Sequence, residues 1–154
     1  MLVQKYDDAE KCLKNAIRFK SDMKEAHNDL VMVLRKKDDN EGALKVCNHA
    51  LKSHNSDDTL HRNKGNILYA LDKPEKALES FEKALDLNPY VVDTWVNKGT
   101  VLWKAMEDRD GALAAFDKAL EINPNFMAAV DSRINLEAEI KANRPSFFKR
   151  LFGG

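Results

Sequence analysis

The stretch NKGNILYALDKPEKALESFEKALDLNPY, from Asn63 to Tyr90, returns 34 residues later as NKGTVLWKAMEDRDGALAAFDKALEINPN, from Asn97 to Asn125, with one extra residue before Gly111. The segment from His27 to Asn55 fits the same frame without a gap. Self-similarity at a fixed period means that one supersecondary unit is stacked along the chain, each copy covering the apolar face of the next. No single copy builds a core alone.

The columns of the repeat show what each position is for. Ala9, Ala43, Ala77 and Ala112 form one column, and Ala16, Ala50, Ala84 and Ala119 another. Between them stands a larger apolar residue, Leu13, Cys47, Phe81 or Phe116. Small, large and small at spacings of four and three fall on one helical face, so the stripe predicts a packing surface. Gly65 and Gly99 share an upstream column, where one helix must approach its neighbour closely, although Val31 stands there in the earlier copy.

Turn chemistry divides each copy into two helices. Asn88 and Asn123 precede prolines, which push them out of helical conformation and end a helix. Pro74 suits a first helical turn, where a missing N–H costs nothing. A first helix of about 14 residues, a turn and a second helix of similar length are expected in each copy. The acidic pairs Asp7 with Asp8, Asp38 with Asp39 and Asp57 with Asp58 read as caps beside helix starts.

This pattern resembles the tetratricopeptide repeat in its period, its small residue in the first helix, its Ala and Phe columns and its terminal Pro. Residues 92–126 match best, with Trp95, Gly99, Ala112, Phe116, Ala119 and Pro124; residues 58–91 carry His61 in the Trp95 column; residues 24–57 are more degenerate, with His27 in that column and Asn55 in place of the proline. Residues 1–23 look like a second half-repeat, residues 127–143 like a closing first helix, and 144–154 like a basic aromatic tail. The resemblance implies an all-α fold, an α-solenoid winding as a right-handed superhelix. It also implies a non-catalytic scaffold whose concave groove holds a peptide or helix of a protein partner. Two other roles stay open: self-assembly through the repeat ends, and the regulatory part of a larger enzyme.

Composition narrows the field further. Lys and Arg number 25, as do Asp and Glu, so the chain lacks the cationic excess that binding phosphates demands, and no nucleic-acid partner is expected. No window approaches the roughly 18 apolar residues of a spanning helix. The first residues do not read as a secretory signal. Cys12 and Cys47 lack C-x-x-C spacing and sit on apolar stripes, so buried free thiols in a reducing cytoplasm are expected.

Catalytic chemistry is not legible. Gly42, Gly65, Gly99 and Gly111 are isolated, without a phosphate-cradling run, and His27, His49, His54 and His61 form neither H-x-x-x-H nor H-E-x-x-H. No cofactor and no metal are expected. In the repeat frame, Arg62, Asn63, Asn66 and Tyr69 face the groove, as do Val96, Asn97, Thr100 and Trp103, with Lys104 at the rim and Arg35 from the preceding copy beside Asn28, Asp29 and Met32. Amides supply donor and acceptor to a peptide backbone, aromatic rings add stiff contact area and arginine grips carboxylates; the same asparagines also suit helix-to-helix hydrogen bonds. Relatives that clamp chaperone C-termini use five polar residues. Arg62, Asn66 and Asn97 match three of them, but Ala128 and Ser132 replace the two cations, so chaperone clamping is not expected.

The ends invite association. Ala9, Leu13, Ala16 and Ile17 would be half-covered at the first helix, expected from about Asp7 to Phe19. The closing helix reads as amphipathic through Met127, Val130, Ile134 and Ile140. Homo-oligomerisation through the N-terminal half-repeat or the tail, whose Phe147, Phe148, Leu151 and Phe152 lie among basic residues, is the corresponding expectation.

Overall fold

The computed structural model describes residues 2–20 and 23–143, residues 2–4 by their backbone alone; the tail and any expectation resting on it lie outside the described residues. The described chain is all-helical: α1 (Leu2–Phe19), α2 (Lys24–Lys36), α3 (Asn40–Ala50), α4 (Asp58–Ala70), α5 (Pro74–Leu87), α6 (Val92–Lys104), α7 (Arg109–Ile122) and α8 (Met127–Ala142). Helices α2 with α3, α4 with α5 and α6 with α7 form hairpins, while α1 packs on α2 and α8 on α7. Each hairpin otherwise touches only its neighbours, the quasi-one-dimensional arrangement of a solenoid.

Two layers result. The first helices of successive units, α2, α4, α6 and α8, meet one another directly across the repeat boundaries, whereas α1, α3, α5 and α7 do not. The first-helix layer is therefore the inner, tighter one. The second helices are splayed, with clefts between them.

Every turn inside a hairpin is closed the same way. Asp38, Asp72 and Glu107 share a column and take φ of 61°, 56° and 55°, the left-handed region in which helices end. The following amides reach back to the last turn, Asp39 N–H to Leu34 O at 2.9 Å and Lys73 N–H to Leu68 O at 2.9 Å. Asp39 then caps α3 through the Gly42 N–H (2.8 Å), Asp108 caps α7 through Gly111 (3.0 Å), and Pro74 opens α5. Asp57, buried, caps α4 through the Leu60 N–H and holds Lys24 at 2.7 Å, which ties the starts of α2 and α4.

The predicted stripe is the core. Ala43, Cys47 and Ala50, Ala77, Phe81 and Ala84, and Ala112, Phe116 and Ala119 are all essentially inaccessible. A Cβ on Gly65 would stand 2.5 Å from Phe81 Cε1, and one on Gly99 2.6 Å from Phe116 Cε1, so these glycines are what lets the rings seat. In α1 the counterparts Ala9, Leu13 and Ala16 are only half-buried.

Three expectations need correction. Helix α1 starts at Leu2, so Asp7 lies inside it and caps nothing; its carboxylate accepts from Lys37 at 2.6 Å, beside Glu10 on the same ammonium. Cys12 is exposed, because it stands one position before the packed Leu13 column, while Cys47 is buried, and loss of water pushes its thiol up to about 12. In α8 the buried residues are Ala129 and Leu136, with Met127 (64% exposed) and Ile134 (55%) turned outward. Ala129 and Leu136 occupy the columns of Thr94 and Val101, which face the stack, whereas Ile134 occupies the glycine column that elsewhere faces a second helix.

Candidate functional site

The inner layer brings the predicted groove residues together and gives most of them partners. Asn63 Nδ2 donates to Asn28 Oδ1 at 3.1 Å, joining α4 to α2, and Asn97 Nδ2 donates to Asn66 Oδ1 at 2.9 Å, joining α6 to α4. A primary amide carries two N–H donors and one carbonyl. Each pair thus consumes one N–H and one acceptor, and keeps a carbonyl on one residue and an NH₂ on the other. Asn63 is the most enclosed, at 7% exposure; Asn28, Asn66 and Asn97 are half-buried.

The remaining predicted residues divide into two groups. Arg35 is exposed, Tyr69 lies at the margin of exposure and Met32 is open, so α2 and α4 present free contact area. Arg62 is half-buried, and its Nε is shut from solvent without a hydrogen-bond partner among the described residues. Thr100 spends its hydroxyl on Val96 O of its own helix (2.8 Å), and Val96 is buried.

Trp103, half-buried, and Lys104, exposed, form a corner against α8 instead. The Trp103 indole donates to Glu139 of α8 at 2.9 Å and meets Phe116 edge-on, with centroids 6.5 Å apart, while the Lys104 ammonium lies 3.2 Å from the indole centroid. Arg109 of α7 donates to the other Glu139 oxygen at 3.1 Å. The Trp103 hydrogen bond first, and Arg109 second, hold the Glu139 carboxyl below its usual value. Sequence reading missed Glu139 as a partner. The signal was present, since it stands 36 residues after Trp103, one repeat along and at a neighbouring column.

The Trp95 column also acquires a chemical meaning. Trp95 Nε1 donates to Pro89 O at 2.8 Å, and His61 Nε2 meets Asn55 O at 2.9 Å, so both rings close the turn six residues behind them. His27 instead meets Met23 O through Nδ1 at 2.9 Å. Among the described residues no group of three His, Cys, Asp or Glu side chains is arranged to hold a metal ion. None of the described helices is long and apolar enough to cross a membrane.

Three family models, each described as tetratricopeptide repeat, match residues 3–58, 59–90 and 92–126. The chain is a tetratricopeptide-repeat protein. Similar solved structures include MamA, 18% identical with a TM-score of 0.79 over 88% of this chain and 79% of that one. YrrB, described as a tetratricopeptide-repeat protein with an unusual peptide-binding site, is 25% identical at a TM-score of 0.75, over 84% of this chain and 66% of that one. The first repeat domain of Spaghetti (RPAP3), solved with the HSP90 peptide SRMEEVD, is 16% identical at 0.70, over 75% and 90%. No curated protein sequence matches this tetratricopeptide-repeat chain.

Proposed function

We propose that the protein is a non-catalytic interaction scaffold that holds an extended or helical segment of a partner protein along the inner face of α2, α4 and α6. The paired amides carry this reading. Asn28 with Asn63 and Asn66 with Asn97 fix each other's orientation and together offer free N–H and C=O groups, which is what pairing with a peptide backbone requires. Orientation secured before binding lowers the entropy that binding must overcome. Arg62 adds a guanidinium fork for a carboxylate, and Tyr69 with Met32 adds contact area. Peptide binding by the similar YrrB supports the same class of ligand. On this reading Trp103 and Lys104 position α8 and contribute only at the groove's edge.

The test is a partner screen with a groove-mutant control, followed by calorimetry on the segment recovered. Arg62→Glu and Asn97→Ala each weaken a groove ligand by about tenfold or more, the loss of one charged or buried polar contact. Lys83→Glu on the outer face of α5 leaves the affinity unchanged. Partners retained equally by wild type and both groove variants would sink the proposal.

A second reading, self-association through the ends, rests on the outward Ile134 and Met127 of α8 and the half-covered Leu13 of α1. Sedimentation across a dilution series separates it from the first, because groove substitutions leave such an assembly intact.

A further inference from the structure

The splayed outer layer contains two clefts that differ in character. One, between α3 and α5 over α4, is polar and includes Lys64, Glu79 and Ser80. The other, between α1 and α3 over α2, is a pocket of about 250 Å³ whose walls are Ile17, Leu30 and Val46. In the repeat frame Leu30 replaces Lys64, Val46 replaces Ser80 and Lys45 replaces Glu79. Leu30 belongs to the buried core cluster on which Ile17 and Val46 pack, whereas one repeat later the same column holds the half-buried Lys64. The first cleft has become apolar, and its acid has become a base.

Its two formally charged groups, Lys14 and Lys45, are both cationic; His27 and His49 line it beside them, with no carboxylate among the lining residues. Lys14 is engaged by Glu10 at 2.5 Å, whereas Lys45 has no ion pair among the described residues. His27 is 1% exposed and its ring lies 6.0 Å from that of His49. Its Nδ1 faces the Met23 carbonyl and therefore carries the proton, which leaves Nε2 buried and without a hydrogen-bond partner. A carboxylate binds at that nitrogen together with one proton taken up from solvent, which the carboxylate oxygen and Nε2 then share. A cavity of about 150 Å³ suffices for benzene, so this pocket has room for a medium-length alkyl chain.

We propose that this cleft is a binding site for a free medium-chain aliphatic carboxylate, its chain on Ile17, Leu30 and Val46 and its head group at Lys45 and the histidines. The site lies on the face opposite the groove and does not depend on the peptide-binding reading.

Sodium octanoate, octylammonium and octanol are the probes, titrated into the full chain by calorimetry with the imidazole resonances of His27 and His49 followed by NMR. Octanoate binds saturably at one site and shifts both histidines, and octylammonium binds at least about tenfold more weakly. Lys45→Glu, a change at an exposed position, weakens octanoate by about tenfold or more. Leu30→Lys with Val46→Ser, which installs the residues of the polar cleft, abolishes the binding while circular dichroism reports the fold. Equal binding of octanoate and octylammonium, an unchanged affinity in Lys45→Glu, or no saturation at millimolar octanoate would each overturn the proposal. The ligand series on the wild type decides the matter even if the double variant unfolds.

Discussion

Phe81 presses its ring edge onto the spot where Gly65 has no side chain: a Cβ there would lie 2.5 Å from Cε1. Phe116 and Gly99 repeat the arrangement, and Val31 with Cys47 inverts the sizes within one buried cluster. The column pair is conserved in bulk rather than in identity. Gly65→Val alone overpacks the site and costs about 1–3 kcal/mol, and Phe81→Cys alone leaves a cavity worth about 3–5 kcal/mol. Combined, they reproduce the α2–α3 pair, so the double variant loses less than the sum by about 0.5–3 kcal/mol in urea denaturation.

Asp72 closes its hairpin with φ of 56°, a conformation that costs an L-residue energy and glycine none. Asp72→Gly is therefore expected to stabilise the chain by up to about 1 kcal/mol, and Asp72→Val to destabilise it by more than about 1 kcal/mol. Thermal denaturation of the two variants gives opposite shifts.

Trp95 and His61 each reach a carbonyl six residues behind. Trp95→Phe leaves the Pro89 carbonyl without its donor and costs about 1 kcal/mol beyond the loss of ring area. Trp95→His, whose ring makes the same bond one repeat earlier, loses less despite being smaller. Equal losses in chemical denaturation would show that the column is selected for bulk alone.

Glu139 gathers Trp103 and Arg109 and fastens α8 to α6 and α7. Its carboxyl is depressed below 4.5, so near pH 4 the unfolded chain binds more protons than the folded one, and stability falls as the pH drops through the folded value. Wild type therefore loses more stability between about pH 5 and pH 3 than Glu139→Gln does. Denaturation midpoints at the two pH values, followed by tryptophan fluorescence, measure the difference.

The two thiols differ in reach and in ionisation. Cys12 is exposed, while Cys47 is buried with its thiol pushed up to about 12. At pH 8 a thiol reagent labels one cysteine rapidly and the second only as the chain opens. Mass spectrometry of the labelled peptides identifies Cys12 as the fast site.

The hairpins, their core and their glycines were legible in the sequence because columns compare one copy with another: Ala77, Phe81 and Ala84 mean little alone and much beside Ala112, Phe116 and Ala119. Where a copy is incomplete, the comparison fails. Asp7 and Asp8 looked like the caps at Asp39 and Asp57 because the half-repeat offers no first-helix column to show that α1 had already begun. Ile134 looked like part of an inward stripe because α8 is followed by no hairpin partner of its own among the described residues to mark which way the column faces. For the groove, the sequence placed Asn63, Asn66 and Asn97 on the inner helices. It left open whether they pair with one another, since an amide's partner depends on the rotation between successive repeats. Glu139 escaped although its spacing from Trp103 was readable, because the spacing alone does not show that the indole reaches α8.

The inner helices touch and the outer ones do not, and this fixes how the protein can bend. Contact between α2, α4, α6 and α8 acts as a fulcrum, so a change of curvature is taken up as opening or closing of the gaps between α1, α3, α5 and α7. Such an object is stiff along its concave edge and compliant along its convex one. A body lodged between α1 and α3 works like a shim, resetting the radius of the opposite face without touching it.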